Sequence, residues 1–110
     1  MNGFVLSRDA DADLQDIYTY SEDTWGAPQA VNYLAGLFDL FERICRHPFI
    51  GRTRPDLGGA IRSLPHGPHV VFYMPWQGGI AILRVLHASM DVEAVSGSAG
   101  SLPGMGGEPG

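Results

Sequence analysis

Apolar residues recur along this chain with two different periods, and the change from one to the other divides it into helices and strands. Ala10, Leu14, Ile17, Ser21 and Trp25 fall three or four residues apart, with Asp9, Asp13, Asp16 and Asp23 between them. That spacing turns one stripe of a helix toward a core. Ser7 stands at its cap position, Asp9 and Asp11 suit the positive end of the first turn, and Gly26 ends it. Pro28 then fits the first turn of a second helix, whose stripe of Ala30, Tyr33, Leu34, Leu37, Phe41, Ile44 and Cys45 runs to His47-Pro48. The pattern predicts a helical hairpin with a very short connection, preceded by a short strand over residues 3–6.

Beyond the helices the period falls to two. Residues 60–64 read as a short strand, and residues 69–87, HVVFYMPWQGGIAILRVLH, read as two strand-forming runs broken by Pro75 and Gly78-Gly79. Strict alternation places Ile80, Ile82, Arg84 and Leu86 on one face and Ala81, Leu83, Val85 and His87 on the other. An arginine among aliphatic residues costs desolvation unless it is paired, so Arg84 is either a structural partner or a working residue. Residues 49–59, FIGRTRPDLGG, read as an irregular surface loop exposing Arg52, Arg54 and Asp56. Residues 88–95 read as a short helix or a frayed end. The order β-α-α-β-β-β predicts an α+β fold, a small antiparallel-rich sheet covered on one face by an α-helical hairpin, with the first strand inserted beside a later one. The other face is expected to stay partly open, a place where Arg62, Arg84 and either Tyr73 or His87 could gather.

Length and composition bound this picture. The 110 residues, 45% of them hydrophobic, suit one domain, drawn here over residues 1–95. Residues 96–110 hold six glycines, two prolines and three serines, a composition expected to leave a disordered tail. No apolar run reaches membrane-spanning length, and the N-terminus lacks the basic start and apolar middle of a signal peptide, so a cytoplasmic protein without membrane contact is expected. The single cysteine, Cys45, reads as a small core residue. The net charge of −5 conceals a division: residues 1–45 carry eight acids against two arginines, whereas residues 46–91 carry five arginines against two acids. The chain has no lysine, so each cationic side chain is a planar guanidinium suited to carboxylate or phosphate, although a codon bias toward arginine explains this equally well.

Candidate chemistry is sparse. His47, His66, His69, His87 and Cys45 lack zinc-ligand spacing, Gly58-Gly59 has no lysine and following helix to make a phosphate loop, and no nucleophile elbow occurs. Neither a metal nor another cofactor is expected. The arginines with Tyr73 and His87 would suit a phosphate-transfer site. The competing structural reading pairs Arg84 with an acid, leaves Arg62 solvated at a strand edge and bonds His87 to the C-terminal segment. Trp25, Tyr18, Tyr20 and Tyr33 are either core residues or anchors for a partner segment.

Several stretches together, LSRDADADLQDIYTYSEDTWG, AVNYLAGLFDLF, HPFIGRTRPDLGGAIRSLPHGPHVVFY and IAILRVLHASMD, closely resemble the ParE branch of the RelE/ParE toxins of bacterial type II toxin-antitoxin systems. Gly51-Arg52, Arg54-x-Asp56-Leu57, Arg84-Val85-Leu86-His87 and Met90-Asp91 occur in that family's order, and the resemblance spans residues 4 to 95. It implies a small sheet under a helical hairpin, and a cognate ParD-like antitoxin in a heteromeric complex, its C-terminal segment wrapping the toxin. It also implies DNA gyrase as target, whereas the RelE branch cleaves messenger RNA on the ribosome. The missing lysines and a pI near 5.1 favour the ParE side and argue against direct nucleic-acid binding. On this reading no residue is catalytic, and Arg52, Arg54, Arg62, Tyr73, Arg84, His87, Trp25 and Tyr33 are the candidates for binding target or antitoxin. A non-toxic antitoxin-binding module is the further alternative.

Overall fold

A computed structural model describes residues 3–103. Strand β1 (Phe4–Leu6) leads into helices α1 (Arg8–Trp25) and α2 (Ala27–Arg46), which are followed by β2 (Arg52–Thr53), β3 (Arg62–His66), β4 (His69–Trp76) and β5 (Gly79–His87). The five strands form one sheet in the order β1-β5-β4-β3-β2, antiparallel except for the β1–β5 pair. The first strand therefore inserts beside a later one, as the layered argument requires. One addition is β2, a two-residue edge strand in the segment read as irregular. The strand expected over residues 60–64 is displaced to Arg62–His66.

Ser7 joins the helical layer to the sheet. Its hydroxyl accepts from the Ala10 amide at 2.9 Å, capping α1, and donates to the Leu83 carbonyl at 2.8 Å, while its own amide donates to Ile82. Ala10, Leu14, Ile17 and Ser21 are buried as the stripe predicts, but Trp25, its last member, is 62% exposed. From α2, Ala30, Leu37, Leu40, Phe41 and Ile44 are buried, and Cys45 packs at the core's edge. Burial and then Glu42 push the Cys45 thiol above its ordinary pKa.

The alternation expected along β5 fails at Leu83. Phe72 pairs with Arg84 and Tyr73 pairs with Ile82, so Leu83 is an extra residue, a β-bulge that shifts the phase by one. Val85 thus joins Ile80 and Ile82 against the helices, and Leu86 joins Ala81 and Leu83 on the opposite side. Between β4 and β5, Gln77 and Gly78 both take positive φ, the sense that a two-residue hairpin loop favours.

The face away from the helices is covered where it was expected to be open. Val95 and Leu102 pack on Phe72, Leu83, Leu86 and Leu57, joined by a 3-10 turn over Ser96–Ser101. Of the tail expected to be disordered from Ser96 onward, residues 96–103 are placed in this turn and its flank, and residues 104–110 lie outside the described part. Composition missed this because two apolar anchors suffice when serines take up the polar work. Ser98 donates to Asp9 at 2.9 Å, and Ser96 to the Leu57 carbonyl. Neither the helix nor the frayed end considered for residues 88–95 forms; turns carry the chain to Val95.

Candidate functional site

The eight candidate residues separate into two groups and one residue apart from both, Arg84. Of the two roles left open for Arg84, pairing with an acid is the one the structure shows: it reaches α1, where its Nε and Nη2 each meet a carboxylate oxygen of Asp13 at 2.8 Å. The same carboxylate accepts from the Val85 amide at 2.9 Å, so it also holds the backbone just past the bulge. The hydrogen bonds to Asp13 raise the Arg84 pKa further, keeping it fully charged. The sequence reading set Asp13 with the acids outside the buried stripe, although its spacing from Ala10 and Ile17 brings it to the edge of that stripe.

Arg62 and Tyr73 lie together at the far end of α2. The Tyr73 hydroxyl accepts from the Gly51 amide at 2.8 Å and donates to the Pro48 carbonyl at 2.9 Å; burial raises its pKa despite that amide and Arg62 nearby. Arg62 donates to the Gly51 carbonyl at 2.8 Å. Arg54 is not an exposed loop residue: its side chain is 14% exposed, forks onto Asp56 and reaches Ser63. That fork raises the Arg54 pKa and lowers that of Asp56. Arg52 alone of this group points freely outward, from the edge strand.

Trp25, Tyr33 and His87 meet in a groove of about 720 Å³ between α1, the start of α2, the β3–β4 turn and the chain after β5. Ile17, Tyr20, Pro68 and Met90 add to its apolar wall, and Asp16 and His69 are among its polar points. Tyr20 packs edge-on against Trp25 at 5.9 Å, and Tyr20, Trp25 and Met90 are all more than half exposed. At its floor the Tyr33 hydroxyl lies 3.0 Å from the His66 carbonyl and 2.7 Å from His69 Nδ1. A carbonyl only accepts, so Tyr33 donates to it and accepts from His69 Nδ1–H. Burial first, then His87 and His66, lowers the His69 pKa and keeps the ring neutral. Met90 and His69 were not among the binding candidates because neither lies on a helical stripe; the turn geometry brings them in.

Among the described residues no group of side chains is arranged to hold a metal ion, and no helix is long and apolar enough to cross a membrane. The groove offers aromatic and thioether surface with few polar points, the properties of a site for a peptide segment.

Residues 4–92 match the model of the family described as the ParE toxin of type II toxin-antitoxin system, parDE. Toxin ParE1 of Caulobacter vibrioides is 44% identical over 94 residues, covering 86% of this chain and 97% of that protein. Toxin ParE1 of Mycobacterium tuberculosis is 37% identical, with 82% and 93% covered. A solved structure described as the chromosomal ParDE TA system from P. aeruginosa shares the fold with a TM-score of 0.68 at 22% identity, covering 79% of this chain and 96% of that one. On the family match and these identities, the chain belongs to the ParE toxin family of type II toxin-antitoxin systems.

Proposed function

We infer that the protein inhibits DNA gyrase by binding it, without covalent chemistry. On the same reading a ParD-like antitoxin neutralises it by laying a segment into the groove beside Trp25. The observation that carries binding over cleavage is how the polar groups are committed. Asp13 takes both faces of the Arg84 fork, Asp56 takes Arg54, backbone carbonyls take Arg62, and the Tyr73 hydroxyl both donates and accepts internally. A phosphate clamp needs guanidinium groups free to converge on one anion, with an acid or base beside them. Arg62 and Tyr73 brace the chain just past the C-terminal end of α2, while His87 sits in the groove beside that helix's first turns. Support for an antitoxin segment comes from the contiguous Tyr20, Trp25 and Met90 surface, because a segment that orders on binding gains from apolar anchors in a preformed groove.

Purified protein titrated into a gyrase supercoiling reaction tests the target: inhibition relieved by the antitoxin encoded alongside is the expected result. Unaffected supercoiling at large molar excess, with transcripts cut in a translating extract, would overturn it in favour of the ribosome-dependent nuclease. Harmless accumulation of folded protein in cells lacking the antitoxin would leave only an antitoxin-binding module.

A further inference from the structure

Between α2 and β2 the chain forms a knuckle that is braced from beneath and apolar on top. Tyr73, fully buried, ties the Gly51 amide to the Pro48 carbonyl, and Arg62 ties the Gly51 and Phe49 carbonyls from the side. The brace is close: a Cβ on Gly51 would come within 2.6 Å of the Tyr73 hydroxyl and 2.9 Å of the Ser63 carbonyl. Above it Phe49 is 74% exposed and Ile50 38% exposed, with Arg62 over the Phe49 ring at 5.0 Å and Arg46 and Arg52 exposed on either side.

The hydrogen bonds that hold this loop go to the backbone of residues 48, 49 and 51, so they would hold polar side chains at 49 and 50 equally well. Two large apolar side chains in water, on backbone already fixed in one conformation, carry the features of a preorganised contact: an aromatic anchor, arginine beside it and little ordering entropy left to lose. The shape is convex, which suits a socket on a folded partner, whereas the groove beside Trp25 is concave and suits a flexible segment. Thirteen residues of α2 separate Tyr33 from Arg46, a rise of about 20 Å, so the two surfaces are distinct.

We propose that the Phe49–Ile50 knuckle with Arg46 and Arg52 is the face with which this toxin grips its target, a folded protein presenting an apolar socket rimmed by carboxylates; this rests on the reading of the chain as a binding inhibitor. Charge complementarity selects the rim, since the guanidinium groups around Phe49 are the basic part of an otherwise acidic chain. Nucleic acid fits less well: Arg54 and Arg62 are committed internally and the net charge is −5.

The test compares wild type with Phe49→Ser/Arg52→Glu, each checked by thermal melt, in gyrase supercoiling, in growth arrest on expression and in affinity for the antitoxin. Expected is a loss of at least about tenfold in gyrase inhibition and loss of growth arrest, with antitoxin affinity held within about threefold. Should the double variant fail to fold, Arg52→Glu alone, at an exposed edge position, carries the same expectation. Folded variants that inhibit gyrase or arrest growth like wild type overturn the proposal. So does antitoxin affinity that falls in step, or tight binding of mixed-sequence RNA that the variants lose. Wild type that arrests growth without touching gyrase, while the variants do not arrest growth, leaves the knuckle standing and removes gyrase as the target. Wild type inert in both assays overturns the knuckle's role as well.

Discussion

Asp13 is the residue on which the meeting of helix and sheet depends most. Its carboxylate takes the Arg84 fork and the Val85 amide, with side chains only 12% and 20% exposed for Asp13 and Arg84. Replacing one partner leaves the other charge half-buried and unpaired, which costs more than the pair itself contributes. Asp13→Ala and Arg84→Met should therefore each destabilise the fold by about 2–3 kcal/mol, a melting temperature lowered by roughly 10 °C or more. The double variant should lose less than the sum of the two, and thermal melts of the three proteins measure the difference. Titration has its own residue. His69 is neutral in the fold because burial lowers its pKa below the ordinary 6.5, with His87 and His66 adding to the effect. Unfolded chains take up that proton first, so the stabilisation is fully present above about pH 6.5 and is lost as pH falls through the depressed folded value. Urea melts at about pH 7.5 and about pH 5.5 should show the loss, and His69→Gln should flatten that part of the profile.

At the scale of elements, legibility followed periodicity. The stripes of α1 and α2 stand out because a 3.6-residue period needs only residue types, and Ser7 declares its cap by spacing alone. β5 defeated the same logic: one inserted residue, Leu83, exchanges the faces of everything after it, and no residue type announces it. Of the site, Trp25, Tyr33 and His87 were named from their chemistry, but that they share a groove depends on turns around Pro68 and Met90 that no local pattern encodes. Reading the arginines as one surface failed because their partners lie far off in sequence, with Arg84 and Asp13 separated by 71 positions. The C-terminal segment is the other lesson, and it yields a prediction. Residues 95–102 lie beyond the residues matched by the family model, yet Val95 is fully buried and Leu102 nearly so. Val95→Asp would put a carboxylate against Leu83 and Leu86, costing about 2–4 kcal/mol. The expected outcome is a lowered melt and increased binding of a hydrophobic dye, since the sheet face beneath would be uncovered.

For the whole molecule, the two exposed apolar surfaces sit in opposite electrostatic settings, and this separates them experimentally. The groove takes its helical wall, Asp16 included, from the half where acids outnumber arginines, no arginine lines it, and Tyr20, Trp25 and Met90 stand exposed along it. Trp25 is 62% exposed, so Trp25→Ala should leave the thermal melt nearly unchanged. On the proposed reading of Trp25 as the antitoxin's aromatic anchor, the same change should still weaken antitoxin binding by about 2 kcal/mol, roughly 30-fold. Because that contact is mainly apolar, its affinity should change little as salt rises from about 0.05 M to about 0.5 M, whereas a contact steered by Arg46 and Arg52 should associate more slowly over the same range. Calorimetry for the antitoxin and stopped-flow association for gyrase measure the two dependences. A salt-insensitive gyrase contact would remove charge complementarity as the basis of its recognition, and a salt-sensitive antitoxin contact would mean that the acidic rim of the groove, Asp16 included, takes part in holding the segment.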